Sequence, residues 1–233
     1  MRLLWFALIW AAIALPHRLS AGAADTCYYV DPAGVDLAAL LGPPPAGQDE
    51  IDTLLKLQEN RSYDDLSRIA EEVTLNTGVF RDVLGGWFNP QNVPQTELLL
   101  DRAEHDLRTV AAAGKDLWHR PRPPMVDTRI QPAIGLPKAP PYPSIHAAVG
   151  ACWSLILAEL LPGKSQELLH RGGQIGSDRS LAGVEFPSDV AAGEKLGNYL
   201  ACRFLEHPGF RADFQRAQKE LEAWLPAGPT GAR

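Results

Sequence analysis

The segment that most restricts how this chain can fold is Ala147 to Leu161, which is apolar nearly all the way round a helix. A helix without a polar face has to be buried among other elements, so this one predicts the centre of a bundle. The stretch before it adds a second constraint. Between Trp118 and Pro143 stand Pro121, Pro123, Pro124, Pro132, Pro137, Pro140, Pro141 and Pro143, too many for regular structure. A proline-stiffened loop of that length inside a domain is as a rule functional or disordered. Its later part, Pro124 to Tyr142, is expected to contribute to the mouth of a pocket.

The remaining segments read as helices divided by glycine and proline. Gly42-Pro43-Pro44-Pro45-Ala46-Gly47 breaks the chain, and Ile51, Leu54 and Leu55 follow at helical spacing. Ser62 with Asp65 three residues later forms a capping arrangement that opens another helix. Thr96 to Ala113 sets Leu99, Ala103, Leu107, Val110 and Ala111 opposite Glu97, Asp101 and Arg108, and leads straight to Lys115. Past Pro162-Gly163 the pattern predicts a polar helix and then a loop through Gly172, Gly173 and Gly176. The last strong helix is expected to start near Asp189, with Gly193 and Gly197 letting a neighbouring helix come close. No alternating run supports a sheet, so the fold class is all-α, a helical bundle.

At the N-terminus, Arg2 precedes an uncharged apolar run from Leu3 to Leu15, and Ser20-Ala21-Gly22-Ala23 offers a cleavage pattern of small residues. Residues 1–23 are therefore expected to be a signal peptide and residues 24–233 one helical domain. An uncleaved N-terminal anchor is the competing reading. The apolar run is short for a bilayer, and no later segment is long and apolar enough to span one. The expected location is periplasmic or secreted. About 210 residues remain after cleavage, enough for one domain with a sizeable core.

A formal net charge of −6 gives no reason to expect nucleic acid as a partner. Any anion binding must come from a local cluster of positive charge. Cys27, Cys152 and Cys202 allow one disulfide with one thiol left over, and the pairing is open. No Cys-x-x-Cys spacing occurs; no metal or other cofactor is indicated. A homo-oligomer remains open.

Three short stretches concentrate basic and imidazole side chains, each beside a helix end. They are Lys115-Asp-Leu-Trp-His-Arg-Pro-Arg122-Pro123, then Pro143-Ser144-Ile145-His146, then Asp178-Arg179 continuing through Glu185-Phe186-Pro187-Ser188-Asp189. Singly, each has an ordinary explanation: a solvated basic loop, a serine cap, an arginine paired with Asp189, Ser188 capping the last helix. Together they supply what a phosphate ester requires. Two arginines and a lysine give fixed positive donors, and Ser144 with the backbone at the start of the buried helix adds more. A histidine beside that cradle could protonate a leaving oxygen.

The spacing of the three blocks resembles the type 2 phosphatidic acid phosphatase superfamily, which includes class A bacterial acid phosphatases and vanadium haloperoxidases. Its pattern is Lys, six residues, Arg-Pro; then Pro-Ser-Gly-His; then Ser-Arg, five residues, His, three residues, Asp. Lys115, Arg122-Pro123, Pro143-Ser144-Ile145-His146, Arg179, Glu185 and Asp189 keep that order and spacing. Leu41-Gly-Pro-Pro-Pro45 and Leu181 to Gly193 resemble class A acid phosphatases in particular. The resemblance implies that Lys115, Arg122 and Arg179 hold phosphate oxygens, helped by Ser144 and the Ile145 backbone. It implies His146 as general acid and Asp189 as the group orienting the nucleophile.

Three positions depart from the pattern. Ile145 replaces a glycine, and Asp178 replaces a serine and either points away or pairs with Arg179. Glu185 stands where the family has its nucleophilic histidine. A carboxylate can in principle form an acyl phosphate, but it repels a phosphate dianion and is not a vanadate ligand of the haloperoxidase kind. Two functions follow. The first is an exported phosphatase acting on phosphate monoesters; the second is a catalytically silent relative that binds a phosphorylated or other small anionic ligand.

Overall fold

The computed structural model describes residues 27–224, and all regular structure among them is helical. The signal-peptide reading of residues 1–23 lies outside the described residues. The α-helices are α1 (Leu37–Leu41), α2 (Ile51–Glu59), α3 (Tyr63–Glu71), α4 (Arg81–Leu84), α5 (Pro94–Trp118), α6 (Pro123–Val126), α7 (Ile145–Leu160), α8 (Ser165–Leu181), α9 (Pro187–Glu206) and α10 (Pro208–Glu222). Among the described residues no helix is long and apolar enough to cross a membrane.

Helix α7 is the axis of the bundle. It packs most extensively on α8 and α9, and α5 lies against it from another side. Val149, Cys152, Trp153, Ile156 and Leu157 are all buried, so the helix is covered around its circumference, as its composition requires. Each large apolar side chain of that set contributes about 1.5–3 kcal/mol when fully buried. The Trp153 indole N–H donates to the Leu100 carbonyl at 3.0 Å, which spares a buried polar group and ties α7 to α5.

The close packing rests on small residues. A Cβ at Gly197 of α9 would run into the Ala148 carbonyl, and one at Gly193 into the Ser144 carbonyl. The expectation for these two glycines therefore holds. The loop expected through Gly172, Gly173 and Gly176 does not exist, because α8 runs unbroken through all three. Gly172 faces the Gly150 carbonyl and the Ser154 side chain of α7, leaving no room for a Cβ. Tertiary contact overrides the helix-breaking tendency of glycine there.

Helix ends follow local chemistry. Ser62 and Asp65 form the anticipated capping box of α3. Helix α5 stops where His119 takes the left-handed conformation at φ 47°, and Pro121 and Pro123 prevent the helix from resuming at once. The proline-dense stretch holds only the single turn α6. Ser144 caps α7 by accepting from the Ala147 N–H at 3.1 Å. Helix α9 opens at Pro187, two residues before the expected start, and Asp189 accepts the Phe186 N–H at 2.7 Å. Ser188 therefore is not the cap.

Candidate functional site

The ends of α5, α7, α8 and α9 converge on one buried polar cluster. Lys115 lies in the last turn of α5, Arg122 just before α6, Ser144 and His146 at the start of α7, and Arg179 in the last turn of α8. Glu185 follows in the turn between α8 and α9, and Asp189 sits in the first turn of α9. Lys115, Arg122, Ser144, Arg179, Glu185 and Asp189 are each at most 6% exposed, so every charge here is set against another charge or a main-chain group.

Glu185 is at the centre. Its Oε1 lies 3.5 Å from Arg122 Nη1 and 3.7 Å from Arg179 Nε. The structure thus sets Glu185 against both arginines, whereas Lys115 turns to the carbonyls of Pro140 and Pro143. Burial alone would raise the Glu185 carboxyl. Arg179, His146, the Ser144 hydroxyl and Arg122 outweigh it and hold the group below its usual range, so it is ionised. Among the described residues, Glu185 Oε2 and Arg179 Nε and Nη1 have no hydrogen-bond partner although they are buried. Unspent donors and acceptors of this kind are rare in folded proteins and expensive.

The other basic groups are held by carbonyls. Arg122 donates from Nε to Ala139 at 3.0 Å and from Nη1 to Val184 at 2.7 Å. Lys115 Nζ donates to Pro140 at 2.5 Å and Pro143 at 2.9 Å. The proline-rich loop thus wraps both cations. Burial lowers the Lys115 ammonium to about 8, while the nearby Glu185 charge pulls it back up.

His146 presents Nε2 to the Glu72 carbonyl at 3.1 Å. A carbonyl can only accept, so Nε2 carries the proton and Nδ1 is the nitrogen left to exchange one. Burial, with Arg179 adding repulsion, lowers the His146 ring to about 4 even though Glu185 opposes this. Ile145 is the first residue of α7, in ordinary helical conformation, so its replacement of glycine requires no left-handed backbone.

Of the two outcomes open for Asp178 the first holds, and the pairing expected of Asp189 is corrected. Asp178 points away from the cluster and pairs with Arg68 at 2.6 Å and 2.8 Å, not with Arg179. Asp189 pairs neither with Arg179 nor with residue 185. Its partner is Arg120, whose Nη1 donates to Asp189 Oδ1 at 2.5 Å and to Ser188 Oγ at 2.7 Å. Arg120 Nη2 reaches Glu50 Oε2 at 3.0 Å, and its guanidinium stacks 4.2 Å from the Phe186 ring centre. Glu50 also accepts the Ser188 N–H and hydroxyl, each at 2.6 Å. Burial raises Asp189 to about 6 against the pull of Arg120 and of the Phe186 N–H.

Arg120 and Glu50 were not among the residues singled out from sequence. Arg120 stands in Arg120-Pro121-Arg122-Pro123, where two Arg-Pro pairs follow one another and only spacing distinguishes them. Glu50 lies 138 residues from Ser188 and carries no motif.

Residues 107–210 match the PAP2 superfamily. The non-specific acid phosphatase of Salmonella typhimurium is 30% identical over 148 residues, covering 61% of this chain and 59% of that protein. That of Providencia stuartii is 26% identical over 217 residues, covering 84% and 85%. The acid phosphatase of Zymomonas mobilis is 35% identical over 136 residues, covering 56% and 51%. The match thus spans only 59% of the length of the Salmonella relative. Among solved structures, a transmembrane PAP2 type phosphatidylglycerolphosphate phosphatase from Bacillus subtilis superposes with a TM-score of 0.49 at 19% identity, over 82% of this chain and 93% of that one.

Proposed function

We propose that this chain, whose residues 107–210 match the PAP2 superfamily, is an exported phosphatase of the acid phosphatase type, acting on small phosphate monoesters. Arg122, Arg179 and Lys115, with Ser144 and the first-turn N–H of Ile145, hold the phosphoryl oxygens. The observation that carries the reading is the pair of unspent Arg179 donors buried opposite a carboxylate. A phosphoryl oxygen there would satisfy groups that the protein itself leaves unsatisfied.

In this reading Glu185 takes the nucleophile's role, and its Oε2 has no hydrogen-bond partner among the described residues. In the proposed reaction Oε2 forms a bond to phosphorus as the bond from phosphorus to the ester oxygen breaks. The departing oxygen takes the proton of the His146 imidazolium. Water then attacks phosphorus, gives its proton to His146, and releases phosphate and the Glu185 carboxylate. His146 has to be protonated for the first step, and its ring sits at about 4, so turnover belongs to acid pH.

A second reading has its own observation. Asp189 is held by Arg120 and does not touch residue 185, so the link that would orient a nucleophile is missing. This favours a silent relative that binds a phosphorylated ligand without turnover. One experiment separates the two: hydrolysis of an aryl phosphate from pH 4 to 7 by the native chain, Glu185→Ala and Glu185→His. Native turnover that falls by several orders of magnitude in Glu185→Ala supports the carboxylate mechanism. Turnover confined to Glu185→His supports the silent relative. Absence of phosphate binding in all three would remove the cradle itself.

A further inference from the structure

Outside the cradle, one cluster of metal-ligating side chains is incompletely used. The Cys27 thiol, the His105 ring and the Asp106 carboxylate offer ligand atoms that all lie within 4.8 Å of one another. His105 and Asp106 sit on α5, ten and nine residues before Lys115, or about 15 Å along the helix from the cradle. Cys27 arrives from the segment that precedes α1.

The carboxylate is fully buried and anchors that segment. Asp106 Oδ1 accepts the Tyr28 N–H at 2.8 Å, and Oδ2 accepts those of Tyr29 at 2.6 Å and Val30 at 3.1 Å. Oδ1 therefore has one N–H donor and retains a lone pair. His105 Nε2 is buried and has no hydrogen-bond partner among the described residues. The Tyr28 ring packs edge-on against His105 with centroids 5.4 Å apart, and the Arg102 guanidinium lies over the same ring. The Arg102 charge is already paired with Asp213 at 2.7 Å.

We propose that Cys27, His105 and Asp106 form a binding site for a divalent cation of the zinc type, which fastens the N-terminal segment to α5. One thiolate, one imidazole and one carboxylate are a zinc donor set, with a fourth position left for water. Tetrahedral zinc needs donor atoms about 3.3–3.8 Å apart, so side-chain movements of about 1 Å would close the site. The metal would displace the thiol proton of Cys27 into solvent and take up the unused lone pair of the histidine. No spacing motif announces the site, because Cys27 stands 78 residues before His105.

The test uses the chain purified without a histidine tag and freed of metal, with cobalt(II) as the spectroscopic probe and zinc in competition with a chelating dye. The expected result is one equivalent bound, with a thiolate-to-cobalt charge-transfer band. That band should vanish in Cys27→Ser and persist in Cys202→Ser, and His105→Gln should bind at least tenfold more weakly. Zinc should also raise the thermal midpoint of the native chain and of neither Cys27→Ser nor His105→Gln. Absence of one-to-one binding, a band that survives Cys27→Ser, or an affinity unchanged in His105→Gln would each overturn the proposal.

Discussion

Two clusters of arginine and carboxylate lie side by side at the junction of α8 and α9, and they are built differently. In one, Arg120 spends both terminal nitrogens on Asp189, Ser188 and Glu50 at 2.5–3.0 Å, and Glu50 returns two further bonds to Ser188. In the other, Glu185 stands 3.5 Å and 3.7 Å from Arg122 and Arg179, with one carboxylate oxygen and two guanidinium nitrogens unpartnered among the described residues. Burial is nearly the same in both, so the contrast lies in how the bonding capacity is used. Among the described residues the tight cluster leaves one buried donor unpartnered, Arg120 Nε, against three atoms in the loose one, and it serves to fix the entry of α9 against the start of α2. The loose cluster retains donors, which is the arrangement of a site awaiting an anion.

The largest effect expected from this contrast is on stability. Arg120→Met removes the partner of a fully buried carboxylate and of Glu50, and breaking such a pair costs about 3–5 kcal/mol. Urea unfolding should show that loss, whereas Arg179→Met should cost much less because its ion pair is long. Equal losses in the two variants would erase the distinction between the clusters.

Titration supplies the next test. His146 is lowered from 6.5 to about 4, so the folded chain disfavours its protonation, and stability present above pH 6.5 is lost as pH falls towards 4. Asp189 is raised from 3.8 to about 6, so its contribution is fully present below pH 3.8 and is lost as pH rises through 6. Each is worth about 3 kcal/mol, and between pH 4 and 6 they oppose one another. The native chain should therefore change little in stability across that window. His146→Asn should become more stable as pH falls from 6 to 4, because only the Asp189 contribution remains. A flat profile for His146→Asn would mean that Asp189, in the tight cluster, keeps an ordinary carboxylate pKa.

The same contrast accounts for what the amino-acid sequence could show in advance. Spacing over three blocks was enough to bring Lys115, Arg122, Ser144, His146, Arg179, Glu185 and Asp189 to one place, since each lies at or beside a helix end set by a cap or a proline. The apolar circumference of α7 and the small residues Gly193 and Gly197 were legible for the same reason: local pattern and packing agree. Partner choice was not legible. Asp189 selects Arg120 rather than its neighbours because the cap of α2 brings Glu50 and α9 brings Ser188 to the same guanidinium, a long-range arrangement without a local trace. The glycines of α8 misled because their role is contact with α7. Helix α10 was not anticipated; Pro208 stands at its first helical position, where proline starts a helix, with Phe210, Asp213, Ala217 and Leu221 buried.

The smallest effect is also the one that bears most directly on function. Glu185→Gln keeps the shape of the side chain and removes the charge that the loose cluster holds for itself. Arg122 and Arg179 would then face the cradle without a competing anion. At neutral pH the variant should bind orthophosphate at least tenfold more tightly than the native chain, a gain of about 1.4 kcal/mol readable by calorimetry. The matching change in the tight cluster, Asp189→Asn, should lower stability and leave phosphate affinity unimproved, because Arg120 is committed to Glu50 and Ser188 as well. If Glu185→Gln instead unfolds as readily as Asp189→Asn and gains no affinity, Glu185 is a structural counter-ion like its neighbour, and the space between Arg122 and Arg179 is no anion site.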